Sequence, residues 1–288
     1  MAFDTLPRLP GAANPLALRN TALDWAFYDI GNLSSAEVGI LSAETTLEGA
    51  LLVVHPNEAR AGIAVDKFEG FEAFRAAPGP LLRHFALAGV GSSDLGAASL
   101  ARTLANHLGE PVVAVVAGYG APALVEEALG GWVFFRGANR LMAPAEPPTR
   151  AQAEAALAFA QAPSDARIGW DAAMLLRLLT EPRRKVGTLL GHSKGGVTSS
   201  FALQVLSLAD PERFAHHAQA RVVTAGAVQP MPAAMTDVSQ FLGALDWLGE
   251  INSDPTVRRT LAPRAWHHLN TQTPAHLDLA AALEGRLG

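Results

Sequence analysis

A serine between two glycines is the strongest chemical motif in this 288-residue chain. Residues 191–195 read Gly-His-Ser-Lys-Gly, and the pattern G-x-S-x-G is typical of a sharp turn that joins a strand to a helix. The glycines let the backbone pass closely, so the serine hydroxyl is exposed at the carboxyl end of the strand. The N–H of the next residue, Lys194, then points toward a developing oxyanion from a helix N-terminus. The sequence therefore predicts Ser193 as a nucleophile, with a capping serine in a Gly-rich turn as the alternative.

The motif continues with Gly196, and residues 191–196 resemble the nucleophile elbow of lipase-like members of the α/β-hydrolase superfamily. The resemblance covers roughly residues 80–288 and departs from many lipases at Lys194, where only the backbone amide is needed. It implies an enzyme of the carboxylesterase or lipase kind, which hydrolyses esters through an acyl-enzyme without a metal or an organic cofactor. It also implies a catalytic triad in the chain order serine, acid, histidine.

The acid of such a triad is expected on a loop after a later strand. Asp246 directly follows an apolar run and stands where that strand would meet its loop. Asp254 is the rival, although a turn before Pro255 explains it without chemistry. Asp237 precedes the same strand and is expected at the opposite end of the sheet. The preferred acid is therefore Asp246, and Asp254 remains open.

Three histidines follow the acid, namely His267, His268 and His276. The first two lie where the superfamily has its histidine loop, whereas His276 is expected in the first turn of a closing helix. Adjacent residues of an extended segment face opposite ways, so only one of the pair can reach Ser193. We prefer His267 as the base that takes the serine proton and returns it to the leaving group, with His268 as the other candidate. His192 is expected to be a packing residue.

The oxyanion hole needs a second backbone amide besides that of Lys194. Residues 88–91 read Ala-Gly-Val-Gly and resemble the H-G-x-G loop of esterases, with alanine in place of the histidine. The resemblance implies the Val90 N–H as the donor. Tyr119 and Ala138, each in a Gly-containing loop, are alternatives.

A glycine-rich loop leaves a different enzyme class open. Gly89, Gly91 and Gly96 form a degenerate dinucleotide fingerprint between a predicted strand and a predicted helix. The third glycine of G-x-G-x-x-G is replaced by Asp94, whose carboxylate would repel a pyrophosphate. An NAD(P)-dependent oxidoreductase is thus a weaker alternative to the hydrolase. A non-catalytic binding protein with a hydrolase-like fold is the other.

The composition excludes several classes of protein. Apolar residues make up 49% and charged residues 17%, which argues against disorder and against a coiled coil. The net charge is −5 without a basic stripe, so no nucleic-acid partner is expected. There is no cysteine and no H-E-x-x-H motif, so no metal site is predicted. No apolar run approaches the length of a membrane span and no signal peptide is recognised, which predicts a cytoplasmic protein.

The elements that must position these residues follow from hydrophobic patterning. From residue 85 onward, short strands that are apolar on both faces alternate with helices, which is typical of a mostly parallel sheet covered on both sides. We expect one α/β-hydrolase-like domain over 1–288, with N-terminal strands and an extension in 1–80. A helical insertion over 140–182, before the nucleophile strand, would be a lid or a long crossover. A lid and nearby apolar residues favour a small-molecule or lipid-like acyl ester as substrate. A closing helix is predicted over 275–287.

Overall fold

The chain forms an α/β unit around one mostly parallel sheet of eight strands. The computed structural model describes residues 22–43, 49–58, 62–68, 70–117, 148–161 and 170–285. The strands are β1 (Leu51–Val54), β2 (Val65–Phe68), β3 (His84–Leu87), β4 (Val112–Val115), β5 (Thr188–His192), β6 (Arg221–Ala225), β7 (Val238–Gly243) and β8 (Thr260–Ala262). Their order is β2-β1-β4-β3-β5-β6-β7-β8, and β1 alone runs in the direction opposite to the other seven strands. The predicted α/β class is confirmed.

Helices cover both faces of this sheet. Those within the described residues are α1 (residues 22–27), α2 (Ser35–Ala43), α3 (Phe71–Ala76), α4 (Asp94–Leu108), α5 (Arg150–Gln161), α6 (Trp170–Thr180), α7 (Lys194–Ala209), α8 (Pro211–Ala215), α9 (Trp247–Ile251) and α10 (Leu279–Leu283). Side chains of β1 alternate between two cores: Leu52 and Val54 pack with α4, whereas Leu51 and Val53 pack with α5, α6 and α7. No described helix combines the length and the apolar character that a membrane span requires.

The helices of the predicted insertion belong to the core of the domain. Ala153 and Ala160 of α5 and Leu175 and Leu178 of α6 are buried in the same hydrophobic cluster as Leu189 of β5. Both helices also contact α7, which begins directly after Ser193. Because they bury apolar surface against the sheet, these two helices form a structural layer, and the lid interpretation does not hold for them. The other residues of 140–182, together with Tyr119 and Ala138, lie outside the described residues.

The closing helix is shorter than the sequence predicts. The prediction began it within residues 275–287, but α10 begins only after its cap, Asp278. Ala275 has a φ of 64°, and its carbonyl accepts a hydrogen bond from the Trp266 N–H at 2.6 Å. Turns at residues 271–275 therefore stand in place of the first helical turn, and the bond from Trp266 holds them against the loop that carries the two adjacent histidines.

Candidate active site

Ser193 stands in a strained turn between β5 and α7. Its backbone has a φ of 51° and a ψ of −122°, a region that residues with a side chain rarely adopt. The turn is possible only with glycines around it, since a Cβ on Gly191 would lie 2.5 Å from the Gly196 Cα, and one on Gly195 would overlap the Leu87 carbonyl oxygen. The strained backbone directs the serine hydroxyl away from the end of the strand.

The Ser193 hydroxyl lies next to a buried histidine–carboxylate pair. His267 Nε2 is 2.9 Å from Ser193 Oγ, and His267 Nδ1 is 2.8 Å from Asp246 Oδ2 and 2.9 Å from Oδ1. Both His267 and Asp246 are only 2% exposed. An Nδ1–H donated to the carboxylate leaves the Nε2 lone pair facing the serine proton. The fold thus brings together the three residues that were preferred from the sequence.

The Asp246 carboxylate is held by its own loop. The residue follows β7 and caps α9, and its Oδ1 accepts the Gly249 N–H at 2.6 Å. A Cβ on Gly249 would overlap Asp246 Oδ2, so the glycine is what allows the helix to approach the carboxylate this closely. The carboxylate therefore faces His267 with little freedom to turn.

The two rivals within the predicted triad lie elsewhere. The ring nitrogens of His268 bond the turn at residues 273–274, each at 3.1 Å, and burial lowers the pKa of this histidine. His268 therefore faces away from Ser193, and the structure corrects its candidacy as the base. Asp254 accepts the N–H and the hydroxyl of Thr256 at 2.8 and 2.7 Å, so its carboxylate shapes a turn. It is not the carboxylate that contacts His267.

Two backbone segments border the serine where an oxyanion would form. Lys194 is the first residue of α7, so its amide belongs to the helix N-terminus. The loop after β3 supplies the other segment: a Cβ on Gly89 would lie 3.2 Å from the Ser193 Cβ. The Gly89 N–H is already donated to Tyr28 Oη at 2.6 Å. Among the described residues the next amide, that of Val90, has no hydrogen-bond partner, and its side chain is 40% exposed at the rim.

His192 has more contacts than a packing residue would need. Its Nδ1 is 3.0 Å from Tyr28 Oη, and its Nε2 is 2.9 Å from the His267 carbonyl oxygen. Complete burial, reinforced by the neighbouring His267, lowers the pKa of His192 to about 3. The imidazole is therefore neutral over the range in which proteins fold and function.

Sequence reasoning missed two residues of this site. Tyr28 lies in the N-terminal segment, which has no clear hydrophobic period, and no local pattern relates it to a loop 61 positions later. Gly226 follows β6 with a φ of 70°, and a Cβ there would lie 3.0 Å from His267 Cε1. A glycine directly after a predicted strand was the one available signal for a close approach.

The glycine-rich loop beside the serine is filled by a protein carboxylate. Asp24 accepts hydrogen bonds from the Ser93 N–H and the Ser92 hydroxyl, both at 3.0 Å, at the N-terminus of α4. Burial raises the pKa of Asp24 to about 7. A Cβ on Gly96 would overlap Asp24 Oδ1, and Asp94 forms a buried ion pair with Lys67 at 3.1 Å. Asp24 therefore occupies the place that a pyrophosphate would need.

No protein-family model, curated protein or solved structure matches this chain. Within the part of the chain that the structure describes, no three histidine or carboxylate side chains come together as metal ligands. Function must therefore be inferred from the chemistry of the site, since a fold class hosts many activities.

Proposed function

We propose that this protein is a serine hydrolase that cleaves carboxylic esters through an acyl-enzyme on Ser193. The proposal rests on one observation above all, the continuous contact from Ser193 Oγ through His267 to Asp246 at 2.9 and 2.8 Å. The order of the sheet strands, with β1 alone antiparallel and the serine directly after β5, is compatible with an α/β-hydrolase fold.

Each residue has a separate task in the proposed reaction. His267 Nε2 takes the proton of Ser193 as Oγ attacks the ester carbonyl carbon, and Asp246 stabilises the imidazolium that forms. The backbone amides of Lys194 and Val90 donate to the oxyanion of the tetrahedral intermediate. The imidazolium then gives its proton to the departing alcohol, and water repeats the sequence on the acyl-enzyme.

The surface next to the triad favours an apolar acyl group. Leu245 and Trp247 flank Asp246 and are 56% and 63% exposed, and Val90 is exposed beside the serine. Large apolar side chains at a rim bind aliphatic chains better than they bind charged groups. We therefore propose a small-molecule or lipid-like ester as the substrate.

The two alternatives differ from this proposal in what they require of the structure. An NAD(P)-dependent oxidoreductase would need the N-terminus of α4 for its cofactor, and the Asp24 carboxylate fills that position. A non-catalytic binding protein would not need a serine hydroxyl in contact with a histidine whose other nitrogen bonds a buried carboxylate. That contact is the arrangement that proton transfer from a serine hydroxyl requires.

A labelling experiment tests the proposal. Wild-type protein should react with a fluorophosphonate probe and hydrolyse p-nitrophenyl butyrate, whereas Ser193→Ala should not be labelled and should lose about 10⁴-fold or more in turnover. Ser207→Ala is the matched control, because its hydroxyl bonds the Gln204 carbonyl within α7 and takes no part in the triad. Wild-type protein that neither reacts nor hydrolyses the ester would support a binding protein instead.

A further inference from the structure

A buried chain of hydrogen bonds connects the loop that borders the oxyanion position to the backbone of the base. It begins at the Gly89 N–H, passes through Tyr28 Oη at 2.6 Å and His192 Nδ1 at 3.0 Å, and ends where His192 Nε2 meets the His267 carbonyl oxygen at 2.9 Å. Tyr28 and His192 are 4% and 1% exposed. Water therefore cannot replace either partner without opening the core.

The direction of every bond in this chain is determined by its ends. A carbonyl oxygen only accepts, so His192 Nε2 carries the proton that bonds the His267 carbonyl. A neutral imidazole then has a bare Nδ1, which accepts the Tyr28 O–H, and the Tyr28 oxygen accepts the Gly89 N–H in turn. The opposite tautomer would place a lone pair against the carbonyl lone pairs. The chain is thus fully satisfied in one arrangement only.

Both ends of the chain lie directly beside the serine. Gly89 packs against Ser193, because a Cβ added to the glycine would lie only 3.2 Å from the serine Cβ. The Val90 amide is one peptide further along. At the other end, the bonded carbonyl belongs to His267 itself. His192 directly precedes Ser193 in the sequence. The hydrogen bonds therefore connect Gly89 to His267 through the residue next to the serine.

Resting on the proposed hydrolase function, we propose that Tyr28 and His192 are positioning residues that hold the oxyanion loop and the base at a fixed distance from Ser193. Oxyanion donors act only within about 2.7–3.1 Å of the developing charge. A displacement on the order of 1 Å lowers a rate by about 10²-fold. Neither residue touches the substrate; each acts through the backbone that it bonds.

Variants that each remove one hydrogen-bonding group from this chain of hydrogen bonds provide the test. Tyr28→Phe deletes one hydroxyl, and His192→Gln keeps an N–H donor near the Nε2 position while losing the acceptor for Tyr28. We expect each variant to lower kcat for p-nitrophenyl butyrate by about 10- to 100-fold with KM within about twofold, since an oxyanion exists only after the ground state. The inhibition constant of butylboronic acid, which forms a tetrahedral serine adduct, should rise by the same factor as kcat falls.

The double variant sharpens the test. If the two residues work as one chain, Tyr28→Phe/His192→Gln should be no slower than the slower single variant. Should Tyr28→Phe fail to fold, the kcat and boronate measurements on His192→Gln alone decide. Rates are normalised to sites titrated with the fluorophosphonate, so that loss of folded protein does not count as loss of catalysis.

His217→Gln is the control, because His217 is equally buried, bonds two backbone groups and lies away from Ser193. It should leave kcat and the boronate inhibition constant within about twofold of wild type. An unchanged kcat in Tyr28→Phe and His192→Gln, or an equal loss in His217→Gln, would overturn the positioning role while the hydrolase stands. A wild-type protein without esterase activity would overturn the proposed function and this inference with it.

Discussion

His192 and His217 lie at opposite ends of the same strand and are bonded alike. His192 is the last residue of β5, whereas His217 Nδ1 accepts the N–H of Val186, just before β5, at 3.2 Å. His217 Nε2 donates to the Leu179 carbonyl at 2.8 Å, so both histidines carry their proton on Nε2. Burial lowers the pKa of His192 to about 3 and that of His217 to about 4.

The surroundings of the two histidines differ. At the amino end of β5, the guanidinium of Arg213 donates to the carbonyls of Leu179, Pro182 and Arg184 at 2.9, 2.8 and 2.6 Å, and also to that of Glu181. These bonds join α6 to the start of the strand without backbone strain in that segment. At the carboxyl end, Ser193 has a φ of 51°, and Gly226 after the neighbouring strand β6 has a φ of 70°.

Burial and complete hydrogen bonding are common to both histidines, so neither property distinguishes the positioning role proposed for His192 from the structural role of His217. The two histidines differ in the residue whose carbonyl accepts the Nε2 proton. His217 bonds backbone groups that only join two elements, whereas His192 bonds the carbonyl of His267. The strained backbone of Ser193 lies where side chains must meet, as expected of a site that its scaffold over-determines.

The largest expected loss of turnover follows a substitution at the carboxyl end of the sheet strands, where Asp246 contacts His267. Asp246→Asn keeps the size of the side chain but favours the wrong His267 tautomer, so turnover of p-nitrophenyl butyrate should fall by about 10⁴-fold. Asp254→Asn is the matched control, since that carboxylate bonds the N–H and the hydroxyl of Thr256 in its own turn. The reverse ranking of the two variants, measured as kcat, would contradict the assignment of the acid.

Two glycines with nearly the same φ allow the effect of backbone strain to be separated from the effect of contact with the His267 ring. Gly226→Ala adds a Cβ 3.0 Å from the His267 ring at a φ of 70°, whereas Gly109→Ala adds one with nothing within 4 Å at a φ of 67°. Both should lose about 1 kcal/mol in unfolding free energy from the left-handed backbone. Only Gly226→Ala should also lose about tenfold in kcat, because the ring must move. Equal kcat values would mean that the close contact has no effect on the base.

Burial of His217 at the amino end of β5 should make the stability of the protein depend on pH. The pKa of His217 is about 4 in the folded chain against 6.5 when unperturbed, so between these values the unfolded chain binds the extra proton. Its contribution to stability is therefore complete above about pH 6.5 and is lost as pH falls toward 4. The unfolding free energy of wild type and of His217→Gln is measured with urea across this pH window. The difference between the two should change by up to about 1.4 kcal/mol per pH unit. A difference independent of pH would contradict a neutral, buried His217.

The smallest effect on activity is expected at a residue next to the base. His268→Ala removes two hydrogen bonds to the turn at residues 273–274, so the unfolding free energy should fall by about 1–2 kcal/mol. Its kcat per titrated site should remain within about twofold of wild type, because the side chain faces away from Ser193. A kcat loss as large as that of His267→Ala would show that the two histidines share the role of base.

The chain order of the candidate serine, acid and histidine can be read from the sequence, but their contacts in space cannot. The elbow at residues 191–196 is a local pattern, because the glycines, the apolar strand before them and the helix after them are contiguous in the chain. Asp246 was likewise recognisable at the end of a strand. The alternation of strands and helices was sufficient to predict the α/β class, since hydrophobic period depends only on near neighbours.

Which side chains meet depends on how the elements pack. His267 and His268 are equivalent in sequence, and the choice between them follows from the pairing of Trp266 with Ala275, which also displaces the start of the closing helix. Tyr28 reaches Gly89 and His192 only because the N-terminal segment packs across the end of β5. Local periodicity encodes single elements, but contacts between residues far apart in the chain depend on how the elements pack, and only the assembled core specifies that packing.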